Sequence, residues 1–135
     1  MTQFRIAEAA ALLGVSDDTV RRWGEAGRLP IHRDGPHQTV EGTDLVPLLV
    51  EHPARAALSD AFPVARTSAR NRFVGLVTAV KKDGVMAQID LQAGPFRVVS
   101  LMTREAADEL GLAPGMLAAA SVKATTVVVE LPVED

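Results

Sequence analysis

The hydrophobic period changes once along this chain, and that change constrains the fold more than any other feature. Up to about Val50, apolar residues recur every three or four positions, as on one face of a helix; after Asn71 they recur every two, as on a strand. Between these regimes, from His52 to Ala69, the run HPARAALSDAFPVARTSA has two prolines, many alanines and no clean period. A chain of 135 residues divided in this way reads as two small domains, 1–51 and 66–135, joined by a linker at 52–65. The expected class is α+β.

The first segment carries its own stop and start signals. Ile6, Ala9, Ala10 and Leu13 share a helix face, and Gly14 stands where a left-handed residue ends the helix. Ser16 is placed to cap a second helix, with Asp17 and Asp18 in the first turn, where the helix dipole favours acids. Val20 and Trp23 lie three apart on one face of that helix, Trp23 being expected in the core. Gly27 ends the helix, and Pro30 prevents its resumption. Two short helices across a Gly-Val-Ser turn make a helix-turn-helix. Ile31–Val40 reads as a hairpin or wing turning at Asp34-Gly35-Pro36. A last helix, capped by Thr43 or Asp44, carries Leu45, Leu48 and Leu49, with Pro47 in its first turn.

The second segment predicts five strands and one helix. Phe73–Val80 and Val85–Leu91 flank a turn at Lys81–Gly84, and Gly94-Pro95 turns the chain into Phe96–Leu101. Thr103 caps a helix over Arg104–Leu110 that Gly111 ends; strands at Met116–Lys123 and Thr126–Leu131 follow. The expected architecture is a five-stranded OB-like β-barrel with one short helix. Phe73–Val80 and Val127–Val129 are apolar on both faces, which one small barrel cannot bury, so a homo-oligomer is expected.

Composition removes several functions. There is no cysteine, so disulfides, thiolate metal sites and cysteine nucleophiles are excluded. His32, His37 and His52 have no ligand spacing, so no transition-metal cation site is expected. No nucleophile–base pair or phosphate-binding glycine loop is legible, and no enzyme activity is expected. With no long apolar run and no signal-like start, the expected location is cytoplasmic, without membrane contact. Net charge is −3. Residues 1–55 hold six Arg against eight acids and residues 56–135 hold eight Lys/Arg against nine, so DNA binding would need a local patch.

Ile6-Ala7-Glu8-Ala9-Ala10, Leu13-Gly14-Val15-Ser16, Thr19-Val20-Arg21-Arg22-Trp23 and Ala26-Gly27-Arg28-Leu29-Pro30 together resemble the MerR/excisionase-type winged helix-turn-helix. The resemblance covers residues 4–50. It implies that the helix Asp17–Ala26 enters the major groove, with DNA contacts from Ser16, Asp18, Thr19, Arg21, Arg22 and Arg28. It also places Arg33, His37 and Gln38 on or near the wing, where Gly-Pro-His-Gln replaces the family's usual run of arginines.

Thr67-Ser68-Ala69-Arg70-Asn71 with Gly75, then Thr103, Glu109-Leu110-Gly111-Leu112, Gly115 and Lys123-Ala124-Thr125, resemble the molbindin family, the Mop type of TOBE domain. That resemblance covers about 66–131. It implies a molybdate or tungstate ligand held between subunits, commonly in a hexamer, and no organic cofactor. The oxyanion residues it implies are Ser68, Ala69, Arg70, Asn71, Thr103, Lys123, Ala124 and Thr125. Their chemistry suits a tetrahedral dianion with four acceptor oxygens: Ser68 and Thr125 offer hydroxyls, Arg70 a planar fork, and Lys123 a point charge. Gly75, inside a strand, is expected to permit close packing rather than to touch ligand. Molybdenum or tungsten is thus expected only as an oxyanion. The reading that joins the two resemblances is an oxyanion-responsive transcriptional regulator. An intracellular molybdate storage or homeostasis protein with an N-terminal interaction module is the alternative, favoured by the acidic balance and arginine-poor wing.

Overall fold

The structure, a computed structural model, describes residues 2–51 and 66–133; the expected linker at 52–65 lies outside the described residues. The N-terminal module runs β1 (Gln3–Arg5), α1 (Ile6–Leu13), α2 (Asp17–Glu25), β2 (His32–Asp34), β3 (His37–Glu41) and α3 (Gly42–Glu51). Gly14 takes a left-handed φ of 69° and ends α1, while Val15 N donates back to Ala10 O at 3.0 Å. Ser16 Oγ then accepts from Thr19 N at 3.2 Å and starts α2. The wing is an antiparallel hairpin, and β1 joins its second strand, β3, to give the sheet order β1-β3-β2. β1 is only three residues long, too short to show a period of two.

Two details at α3 differ from expectation. The helix opens at Gly42, ahead of Thr43 and Asp44, because β3 delivers the chain straight into it. Pro47 therefore sits at the sixth position rather than in the first turn. The amide it lacks would have bonded the carbonyl of Thr43, an exposed residue at the helix start where water can serve that oxygen instead. Val20, Leu29, Val40, Leu45 and Leu49 are fully buried in this module, and Trp23 packs half-buried against them.

The C-terminal domain runs β4 (Asn71–Lys82), β5 (Met86–Ala93), β6 (Phe96–Thr103), α4 (Arg104–Leu110) and β7 (Leu117–Val122), followed by a 3-10 turn at Ala124–Thr126. All strand pairs are antiparallel, in the order β6-β5-β4-β7. β4 is long because it serves two neighbours. Asn71–Leu76 pair with β7, Leu76–Lys82 pair with β5, and a register shift between Val77 and Ala79 bends the strand where it changes partner. Gly75 makes this crossing possible: a Cβ there would lie 1.9 Å from the carbonyl oxygen of Gln92. The expectation of a packing glycine holds.

The expected five-stranded barrel is a four-stranded curled sheet. Thr126–Leu131 does not form the fifth strand: Thr126 belongs to the 3-10 turn, and Val127–Val133 pairs with no strand among the described residues. The 3-10 turn at Ala124–Thr126 takes the chain out of β7, and the segment beyond it pairs with neither edge of its own sheet. Val128 and Val129 are 80% and 83% exposed, and β6 and β7 both keep an open edge.

The double-sided apolarity of Phe73–Val80 also has a different explanation from the one expected. Val77 belongs to the C-terminal core with Ala87, Ile89, Leu91 and Ala107, whereas Leu76 is buried in the N-terminal core, with Val74 and Leu117 packed beside it. The chain's own first module therefore covers β4 at Val74 and Leu76.

Candidate functional site

The pairing of β4 with β7 brings two distant sequence segments together. Asn71 lies opposite Val122, so Ser68–Arg70 and Lys123–Thr125 leave the sheet side by side at one end. Asn71 clamps them: its Nδ2 donates to Val122 O at 3.2 Å. Thr67 Oγ1 accepts from Ala69 N at 3.1 Å and turns the chain just before the strand. On the other side, Thr126 Oγ1 donates to Lys123 O at 2.9 Å and closes the 3-10 turn through Ala124 and Thr125.

The side chains this leaves available are donors. Ser68, Arg70, Lys123 and Thr125 are all exposed, and none has a hydrogen bond or ion pair among the described residues. Neither 66–71 nor 122–126 contains an Asp or Glu. Two cations and two hydroxyls with no local counter-charge suit an acceptor-only dianion and repel a metal cation. The residues present therefore fit an oxyanion.

Thr103 is not part of this cluster within one chain. It pairs with Met86 beside the Lys82 end of β4, at the opposite end of that 12-residue strand from Asn71. There its Oγ1 accepts from Ala106 N at 3.1 Å and caps α4. The same end is tied by Asp83, whose Oδ1 accepts from Met86 N at 2.7 Å and Val85 N at 2.8 Å, and by the Lys82–Asp108 ion pair.

In the N-terminal module, Arg21 from α2 and Arg33, His37 and Gln38 from the wing line one open cleft. Arg33 faces Gln38 across the hairpin. The other expected DNA-contacting residues lie outside that cleft. Ser16 and Thr19 share a 2.9 Å hydroxyl contact at the helix start, Arg22 Nη2 donates to Thr19 Oγ1 at 3.2 Å, and Asp18 pairs with Arg21 at 3.3 Å. Arg28 stacks over the Trp23 ring, 5.0 Å from its centroid, just past the end of α2. Sequence reasoning missed one of the three arginines of the cleft, Arg5. It belongs to the unread strand β1, and only the β1–β3 pairing carries it to the wing.

Comparison with known proteins finds one family match in each half of the chain. The TOBE domain family matches residues 67–129, and the MerR family of regulatory proteins matches residues 5–37. The chain belongs to the TOBE/Mop molybdate-binding domain family and carries a MerR-family helix-turn-helix region at its N-terminus. It is 40% identical over 68 residues to the molybdenum-pterin-binding protein MopA of Rhodobacter capsulatus, a match covering 50% of this chain and 26% of MopA. The chain thus spans about a quarter of the length of that curated relative. Among solved structures, a molybdate-binding protein from Sporomusa ovata is 31% identical, with 50% of this chain covering 100% of it at a TM-score of 0.48. MopII from Clostridium pasteurianum is 33% identical, with 49% and 100% covered and a TM-score of 0.46. The cytoplasmic molybdate-binding protein ModG, crystallised with molybdate bound, is 39% identical, with 50% and 49% covered and a TM-score of 0.49.

Proposed function

We propose that this protein binds molybdate or tungstate and DNA, and that oxyanion occupancy regulates its DNA binding. The observation that carries the reading is the convergence of Ser68, Arg70, Lys123 and Thr125 at one sheet end, on a chain whose other module is a MerR-type reader. Ala69, Asn71 and Ala124 supply the backbone and the clamp that hold those donors in place. The protein acts as a binding protein, not as an enzyme.

The working unit is a homo-oligomer built through the C-terminal domains. Thr103 reaches the oxyanion only from a second copy, since in its own chain it lies at the wrong end of β4. The exposed Val127, Val128, Val129, Leu131 and Val133 and the open edges of the sheet give such copies something to bury against one another. Six copies follow from the family resemblance; the exposed valines alone require only two.

Regulation requires that the oxyanion favour one arrangement of copies over another, because a ligand that binds both equally shifts nothing. The deciding experiment is a gel shift on the DNA upstream of the protein's own gene, with and without molybdate. A shift that changes with molybdate supports the regulator. Molybdate binding with no DNA shift at any salt concentration supports storage, the reading favoured by the net charge of −3.

A further inference from the structure

Three arginines from three separate elements line the cleft between the recognition helix and the wing: Arg5 at the junction of β1 and α1, Arg21 on α2 and Arg33 on β2. We infer that Arg5 is a DNA phosphate contact, and that this cleft seats one segment of sugar-phosphate backbone among the three guanidinium groups. The inference rests on the DNA-binding reading above and adds to it a residue outside the helix-turn-helix and wing motifs.

Charge is the first argument. The chain as a whole is negative, yet the titratable residues lining this cleft are three arginines and His37 against one acid, Asp17. Arg5 and Arg33 form no ion pair among the described residues, and Arg21 has only the exposed 3.3 Å contact with Asp18. Three guanidinium groups gathered around a single lining carboxylate leave the cleft net positive, and an anion entering it reduces their mutual repulsion. A guanidinium presents a planar fork that matches two oxygens of a phosphodiester.

Placement is the second argument. Arg5 is not on a loose end: its backbone N donates to Glu8 Oε1 at 2.9 Å, and it stands opposite Thr39 in the β1–β3 ladder. The strand that carries the wing therefore also sets where Arg5 stands relative to Arg33. A backbone held in this way lets the side chain meet a phosphate with little ordering cost. Contacts of this kind orient a reader on duplex DNA and carry no sequence information directly.

The test uses the full-length chain, a duplex that the wild type shifts, and an unrelated duplex of equal length, each titrated across a salt series. Arg5→Ala is expected to weaken binding to both duplexes by a similar factor, about tenfold. It should also reduce the slope of log affinity against log salt by about one unit. Arg5→Lys, which keeps the charge but not the fork, should recover the slope and only part of the affinity. A melting curve matching the wild type shows that each variant is folded. If folded Arg5→Ala keeps wild-type affinity and slope while an Arg21→Ala, Arg22→Ala double variant loses the shift, the Arg5 contact is wrong and the DNA reading stands. If the wild type shifts neither duplex even at low salt, the DNA reading fails and this inference falls with it.

Discussion

A Cβ built on Gly42 would lie 1.9 Å from the carbonyl oxygen of Gly115. The two modules therefore meet backbone to backbone, where α3 begins and where the chain turns into β7. Gly115 has a φ of +90° and is held on its own side by a 2.8 Å bond from its N to Val77 O. With Leu76 of β4 buried in the N-terminal core, this contact packs the two modules against each other. Along the chain, the junction stands between the wing strand β3 and the strand that leads to Lys123.

Gly115→Ala should break that contact. Alanine at a positive φ costs roughly 1–3 kcal/mol, and its methyl group would lie 2.5 Å from Thr43 N. Differential scanning calorimetry should show a lower melting temperature, with one transition in the wild type and two in the variant as the modules come apart. A single unshifted transition would show that the junction contributes nothing.

Arg70→Ala and Lys123→Ala should each weaken molybdate binding about ten- to a hundredfold, the usual loss for one charge-assisted donor. Isothermal calorimetry reads this directly. Sulfate should bind more weakly than molybdate because its shorter bonds leave the same donors at longer hydrogen-bond distances. Normal molybdate affinity in both variants would move the site elsewhere.

DNA affinity should fall linearly in log–log form as salt rises, because phosphate contacts release counterions. Replacing both Arg21 and Arg22 by alanine should abolish the gel shift. Retention of the shift would assign the affinity to other residues.

The protein should lose stability in acid. The side-chain amide of Gln88 and the guanidinium of Arg97 hold Asp90 below the ordinary carboxylate value of 3.8. Backbone amides of Met86 and Val85 do the same for Asp83, and Lys82 does so for Asp108. A lowered folded-state pKa contributes stability that is present above the unfolded value and disappears as pH falls through the folded one. Melting temperature should therefore be level down to about pH 5 and drop below it. Arg97→Ala should cost a few degrees at neutral pH and move the acid limb upward. An acid limb unchanged in that variant would remove Asp90 from the account.

Val129→Asp should reduce the oligomeric state, since it puts a charge on the segment taken to be buried between copies. Light scattering of the full-length chain, with molybdate present, should report smaller particles than the wild type. Raising molybdate should raise the melting temperature of the wild-type assembly by mass action. A wild-type monomer in molybdate would refute the shared site.

Local signals made much of this molecule legible from its sequence. Ser16 capped α2, Gly14 and Gly111 ended their helices with left-handed φ, and Thr103 capped α4, because each acts within four residues of itself. The donors around Ser68 and Lys123 could be named for the same reason: hydroxyl, guanidinium and ammonium chemistry belongs to the residue type. What local pattern could not supply was partnership. Val127–Val129 has the pattern of a strand, but a strand needs a partner, and the segment pairs with neither of the open edges that β6 and β7 keep. Both faces of Phe73–Val80 looked unpartnered until α3 and its core covered one of them. Arg5 carries no local signal of its own, and only its pairing with β3 places it beside the wing. Caps, turns and side-chain chemistry were determined by sequence alone because their energies are short-range. The contact of Gly42 with Gly115, the burial of Leu76 and the separation of Thr103 from Lys123 were decided only by tertiary structure, because each depends on residues far apart in the chain packing into the same space.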